Sequence, residues 1–212
     1  MIFSKNRLSL YSLVLAVTVA TTGCSDEPNQ NVLPADSKVV ALGDSLTYGY
    51  GANPDTAYPA VLAEMTRWSI ANEGVNGNTS ADVLARTDQV VSQNPDLVLL
   101  GVGGNDVLRR VQPETTRANI TATINKLKSA DIPVVLIAQP HFSASSIFGK
   151  ASDNPIYKDI AKSEDVPLYA SGWSKVLSDE NLKSDQIHAN SAGYRNFAEG
   201  LYGYLQEEGV VR

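Results

Sequence analysis

Four short stretches carry residue types that could together perform acyl-transfer chemistry. Gly43-Asp44-Ser45-Leu46 places a serine three residues past the end of the apolar run Val39–Leu42. Gly77 lies in the Gly- and Asn-rich turn Glu73–Ser80, and Asn105 in Gly103-Gly104-Asn105-Asp106. Asp185 stands three residues before His188. Hydrolysing an ester requires a nucleophile, a base to take its proton, a group to orient that base, and donors for the oxyanion. These stretches supply each of them once.

Each residue also has a plainer reading. Ser45 or Asp44 fits the N-cap of a helix leaving a strand, a position both types favour. Asn105 fits a turn residue satisfying backbone groups. Asp185 fits a loop cap, and His188 a solvated loop histidine. The chain has two histidines. His141 follows Pro140 without a carboxylate at the same offset and reads as pocket wall or loop. Gly74 competes with Gly77 as a backbone donor, although its distance from Asn72 and the following Asn78-Thr79 favour Gly77. Asp44 reads as a buttress of the turn.

The elements that must position these residues alternate along the chain. Lys38–Leu42, Ser69–Asn72, Asp96–Val102, Ile132–Gln139 and Val166–Ala170 read as strands, several of them near-continuous apolar runs suited to a parallel sheet buried on both faces. Tyr58–Trp68, Ser80–Gln93, Pro113–Ala130, Pro155–Lys162, Trp173–Leu177 and Ser191–Glu207 read as helices or helical turns, with Pro59 and Pro113 tolerated in first turns. Gly103–Asp106, His141–Asp153 and Asp185–Asn190 read as loops. This rhythm predicts a three-layer α/β/α sandwich on a mostly parallel five-stranded sheet with right-handed crossovers. Loops following the strands gather at one sheet rim, where ligands of such folds bind.

The bulk composition excludes several classes. With 212 residues and 43% hydrophobic content, the chain suits one globular domain with a sizeable core. A net charge of -6 and the lack of any basic run argue against a nucleic-acid partner. Two histidines and one cysteine cannot build an imidazole or thiolate metal cluster. No glycine-rich phosphate loop or dinucleotide fingerprint follows a strand. The chemistry is therefore expected to need no metal and no cofactor.

The amino terminus has a different character. Lys5 and Arg7 precede an apolar run from Leu8 to Ala20, followed by Thr21-Thr22-Gly23-Cys24-Ser25. A positive segment, an apolar segment and small residues form an export signal, here 1–23, and the apolar run is short for a membrane span. Thr-Thr-Gly-Cys resembles a bacterial lipobox, which implies a lipidated Cys24. Thr21 stands where leucine is usual, so ordinary cleavage nearby stays open. Residues 24–37, rich in Pro, Asn and Gln, read as a flexible tether, leaving 38–212 as the domain. Ser25 after the cysteine implies an outer-membrane lipoprotein with its domain in the periplasm; without lipidation the domain would be soluble in the periplasm or secreted. A lipid anchor would be the membrane attachment, and a monomer is the default expectation.

Taken together, Gly43-Asp44-Ser45-Leu46, Asn72 with Gly77-Asn78-Thr79, Gly103-Gly104-Asn105-Asp106, and Asp185-Gln186-Ile187-His188 resemble the four sequence blocks of the SGNH (GDSL) hydrolases, in family order across nearly all of residues 38–207. Tyr58-Pro59 and Gly-Gly-Asn-Asp resemble the small bacterial arylesterase, thioesterase and lysophospholipase branch. The resemblance implies a flavodoxin-like fold, Ser45 as nucleophile, His188 as base and Asp185 as its orienter. It further implies an oxyanion hole made of the Ser45 and Gly77 N–H groups and the Asn105 amide. The implied substrates are small carboxylic esters of short to medium acyl chains, aryl esters, thioesters or lysophospholipids. O-acetylated envelope polysaccharide or peptidoglycan is the alternative, and an anchored non-catalytic binding protein a third reading. Asp44, His141, Phe142 and Phe148 are the expected pocket residues, with Ile147 beside them.

Overall fold

The computed structural model describes residues 32–141 and 151–212. Its sheet has five strands in the order β2-β1-β3-β4-β5, and every pairing is parallel. The strands are β1 (Lys38–Gly43), β2 (Ser69–Gly74), β3 (Leu97–Gly101), β4 (Val134–Ile137) and β5 (Leu168–Tyr169). The helices are α1 (Ser45–Tyr48), α2 (Tyr58–Thr66), α3 (Ser80–Val91), α4 (Gly104–Leu108), α5 (Pro113–Lys128), α6 (Ile156–Glu164), α7 (Gly172–Val176) and α8 (Ser191–Glu207).

Successive strand residues face opposite sides of a sheet, and here each side has its own core. Val39, Ala41, Leu99 and Ile137 pack with Tyr58 and Leu62 of α2, Trp173 of α7 and Phe197 of α8. Trp173 and Phe197 stack with ring centroids 3.6 Å apart. Val40, Leu42, Leu100 and Leu136 pack on the other side with Val83 of α3, Ile120 and Ile124 of α5, and Ile160 of α6. The result is the expected α/β/α sandwich.

Several boundaries differ from expectation for local reasons. Helix α2 stops at Thr66 because Arg67 adopts the left-handed conformation, with its N–H on the Ala63 carbonyl. Strand β2 runs on to Gly74, since its whole length pairs with β1. Strand β4 is shorter than its apolar run, and β5 at the sheet edge keeps two residues, pairing only with Leu136 and Ile137. The stretch Gly103–Asp106, expected as a loop, opens into helix α4.

The turn after β1 requires a glycine. A Cβ at Gly43 would lie 2.2 Å from both the Gly101 carbonyl oxygen and Thr47 Oγ1, well inside contact distance. This close approach carries the chain from β1 into α1 at the sheet rim.

Candidate active site

Asp44 is the N-cap of α1, its Oδ1 accepting from the Leu46 N–H at 3.1 Å, and Ser45 is the first helical residue. The capping and catalytic readings of this turn are therefore compatible, because the cap and the serine are different residues. Asp44 is buried, with 1% of its surface exposed. Burial pushes its carboxyl up to about 7, against the Leu46, Gly103 and Gly104 N–H groups that favour the ionised form; nearby Asp106 adds to the rise.

His188 and Asp185 sit on a loop closed by an antiparallel bridge between Lys183 and Ala189. Asn190 secures its exit: the side chain caps α8 at the Gly193 N–H and donates to the Asn181 and Lys183 carbonyls. Within the loop, Asp185 Oδ1 accepts from the Ile187 N–H at 2.9 Å and the His188 N–H at 2.8 Å. That leaves the carboxylate facing His188 Nδ1, at 2.8 Å from Oδ2 and 3.0 Å from Oδ1. Burial opposes ionisation of Asp185, but the His188 ring and the two backbone donors outweigh it and hold the carboxyl below its ordinary value.

His188 Nε2 lies 3.1 Å from Ser45 Oγ. An ionised carboxylate only accepts, so Nδ1 carries the proton and Nε2 is left to accept from the Ser45 hydroxyl. Ser45 and His188 are only 8% and 9% exposed, while the Asp185 side chain is 45% exposed. This tautomer is the one a general base needs.

The two other loops meet beside this row. Asn105, in α4, donates from Nδ2 to the Asn78 carbonyl at 3.0 Å. Arg109 donates to the Gly77 carbonyl at 2.8 Å. Asp106 accepts from the Ser80 N–H at 2.8 Å and from the Ser80 and Thr116 hydroxyls, so α4 is fastened to α3 and α5. The Gly74 N–H is occupied by Asn72 Oδ1 at 2.9 Å. The Gly77 and Ser45 N–H groups have no partner among the described residues. Of the two glycines, Gly77 therefore retains a donor to offer.

A small cleft joins Asp44, Ser45, Asn105, Leu108, Ile187 and His188. A larger cavity of about 410 Å³ lies at the amino-terminal ends of β1 and β2, away from this chemistry. Of the expected pocket residues, Asp44 borders the cleft, whereas His141 is exposed and is not among its lining residues. Phe142, Ile147 and Phe148 lie outside the described residues, as does Cys24. Among the described residues no group of three or more His, Cys, Asp or Glu side chains could hold a metal ion.

Two features had no signal in local spacing. Arg86 donates to the Gly43 and Glu73 carbonyls at 2.9 Å and 2.8 Å, bracing the ends of β1 and β2. The Tyr50 ring lies against the His188 imidazole.

The family model described as GDSL-like lipase/acylhydrolase matches residues 41–195. Thioesterase 1/protease 1/lysophospholipase L1 of Escherichia coli (strain K12) is 31% identical over 179 residues, covering 81% of this chain and 85% of that protein. An arylesterase of Vibrio mimicus is 29% identical over 164 residues, covering 73% and 80%. The psychrotrophic esterase EstA from Pseudoalteromonas sp. shares the fold, with a TM-score of 0.70 at 23% identity, covering 82% of this chain and 98% of that one.

Proposed function

Because this chain belongs to the GDSL-like lipase/acylhydrolase family and is a serine hydrolase of carboxylic esters, we propose that Ser45, His188 and Asp185 carry its reaction. The supporting observation is the unbroken row from Asp185 through His188 to Ser45, with contacts of 2.8 Å and 3.1 Å. Ser45 Oγ attacks the ester carbonyl while His188 Nε2 takes its proton. Asp185 holds the ring and stabilises the imidazolium. The negative oxygen is met by the Ser45 and Gly77 N–H groups and the Asn105 amide. His188 then protonates the leaving alcohol or thiol. Water, activated by the same imidazole, releases the acid from the acyl-enzyme and regenerates Ser45.

The substrate reading is an ester or thioester of a short to medium acyl chain, including aryl esters and lysophospholipids. Names of relatives as a thioesterase/lysophospholipase and an arylesterase support it. The test is turnover of nitrophenyl esters of graded acyl length by the parent and Ser45→Ala, with acetate release from O-acetylated polysaccharide as the comparison. Loss of turnover in Ser45→Ala on nitrophenyl esters is expected; full turnover overturns the assignment. Acetate release exceeding nitrophenyl ester hydrolysis would transfer the reading to a polysaccharide deacetylase.

We also propose that residues 1–23 direct export and that a lipid on Cys24 tethers the domain to the envelope, supported by Lys5, Arg7 and the apolar run Leu8–Ala20. Mass spectrometry of the mature amino terminus tests both: a lipidated Cys24 as first residue supports them, a cleaved but unmodified terminus overturns the anchor alone, and an intact Met1 overturns export as well.

A further inference from the structure

We infer that Tyr50 is a positioning residue for His188, its ring setting the plane of the imidazole and its backbone fixed between the nucleophile turn and α8. The inference rests on His188 being the base.

The Tyr50 and His188 ring centroids are 4.5 Å apart, with planes inclined by 43°. Hydrogen bonds at Nδ1 and Nε2 still leave the imidazole free to rock about the line joining them; the tilted Tyr50 ring beside it opposes that motion. Tyr50 is itself held through both of its backbone polar groups. Its N–H donates to the Ser45 carbonyl at 3.1 Å, and its carbonyl accepts from the Tyr194 hydroxyl at 2.8 Å. Tyr194 is completely buried in α8, the helix that follows the His188 loop.

The next residue makes the connection to that loop direct. A Cβ at Gly51 would meet Ser184 Oγ at 2.1 Å and the Ala189 carbonyl at 2.9 Å. The backbone after Tyr50 is thus seated against the residues just outside Asp185 and His188. Tyr50 links Ser45 to the imidazole by a route that does not pass through the Ser45–His188 hydrogen bond. Tyr50 is 43% exposed and belongs to neither core, so truncation there removes little core packing.

The experiment compares Tyr50→Phe, Tyr50→Ala and Tyr50→Leu with the parent and with His188→Ala, on nitrophenyl acetate, with a thermal melt for each. Tyr50→Phe keeps the ring and is expected to keep kcat. Tyr50→Ala and Tyr50→Leu are expected to lower kcat about threefold to tenfold, the scale of one aromatic pair contact, with KM changed less than about twofold on that scale. If Ala at this position fails to fold, the Leu variant decides. The downfield proton resonance of His188 Nδ1–H is expected to broaden in the ring-less variants and stay sharp in Tyr50→Phe. Parental kcat in the ring-less variants, a change in KM alone, or an equal loss in Tyr50→Phe each overturns the role of Tyr50. If His188→Ala is inactive while Tyr50→Ala is parental, only this inference falls; turnover by His188→Ala removes the base assignment beneath it.

Discussion

Asn105 and Asn78 are joined by a hydrogen bond of 3.0 Å from the Asn105 side-chain amide to the Asn78 carbonyl. Gly77 immediately precedes Asn78, so two proposed oxyanion donors are held at a fixed separation before any substrate arrives. The other N–H of the Asn105 amide has no partner among the described residues, so in the proposed mechanism it can meet developing charge.

Asn105→Ala is therefore expected to lower kcat by about 10²–10³, the loss typical of one oxyanion donor. KM for a short acyl ester is expected to change little. Steady-state kinetics on nitrophenyl esters provide the check, and a parental kcat would remove Asn105 from the hole.

Asp106 predicts a stability effect. Its buried carboxylate accepts from Ser80 twice and from Thr116, and Asn119 in turn donates to the Ser80 hydroxyl at 3.0 Å. Asp106→Ala strands those donors, and is expected to destabilise the fold by about 1–3 kcal/mol. For a chain of this size that lowers Tm by about 2–4 °C per kcal/mol. An unchanged melting temperature would show that the network contributes nothing.

Asp44 predicts a pH dependence of opposite sign to that of most carboxylates. Its carboxyl is raised from 3.8 to about 7 in the fold. Between those values the unfolded chain has released the proton while the folded chain keeps it. Stability attributable to Asp44 should then fall as pH rises from about 4 to about 7, and level off above. Asn is an equally good N-cap and does not titrate. Urea midpoints of the parent and Asp44→Asn across this range are expected to diverge in that direction. A difference independent of pH would contradict the assignment.

Asp185 behaves in the ordinary sense. Its folded-state carboxyl is lowered, so the stability it confers is present above the unfolded value and is lost as pH falls through the folded one. Asp185→Asn is expected to remove this acid-side loss and to lower kcat at neutral pH, because an amide no longer fixes the His188 tautomer. Parental kcat in that variant would contradict the role.

What the sequence carried best was local. The apolar run into Gly43-Asp44-Ser45 and the Asp185–His188 spacing each encode their geometry within a few residues, as does α8, whose observed limits match its apolar period. Helix α4 is hidden because a Gly-Gly pair reads as loop, yet Gly104 is its first residue; Gly103, at φ 126, turns the chain into it. Strand β5 was over-read because an apolar run does not reveal that it lies at the sheet edge with a short neighbour. The contacts of Arg86 with Gly43, of Arg109 with Gly77, and of Tyr50 with His188 join distant stretches. No periodicity records them, and they appear only once the loops converge at the rim.

The central claim is that Ser45 attacks and His188 Nε2 takes its proton. It is tested most directly by treating the folded protein with a fluorophosphonate and mapping the adduct by peptide mass spectrometry. The predicted result is one adduct per chain, on the peptide containing Ser45, absent in Ser45→Ala and formed far more slowly in His188→Ala. An adduct on another residue, or labelling at the parental rate without His188, would contradict it.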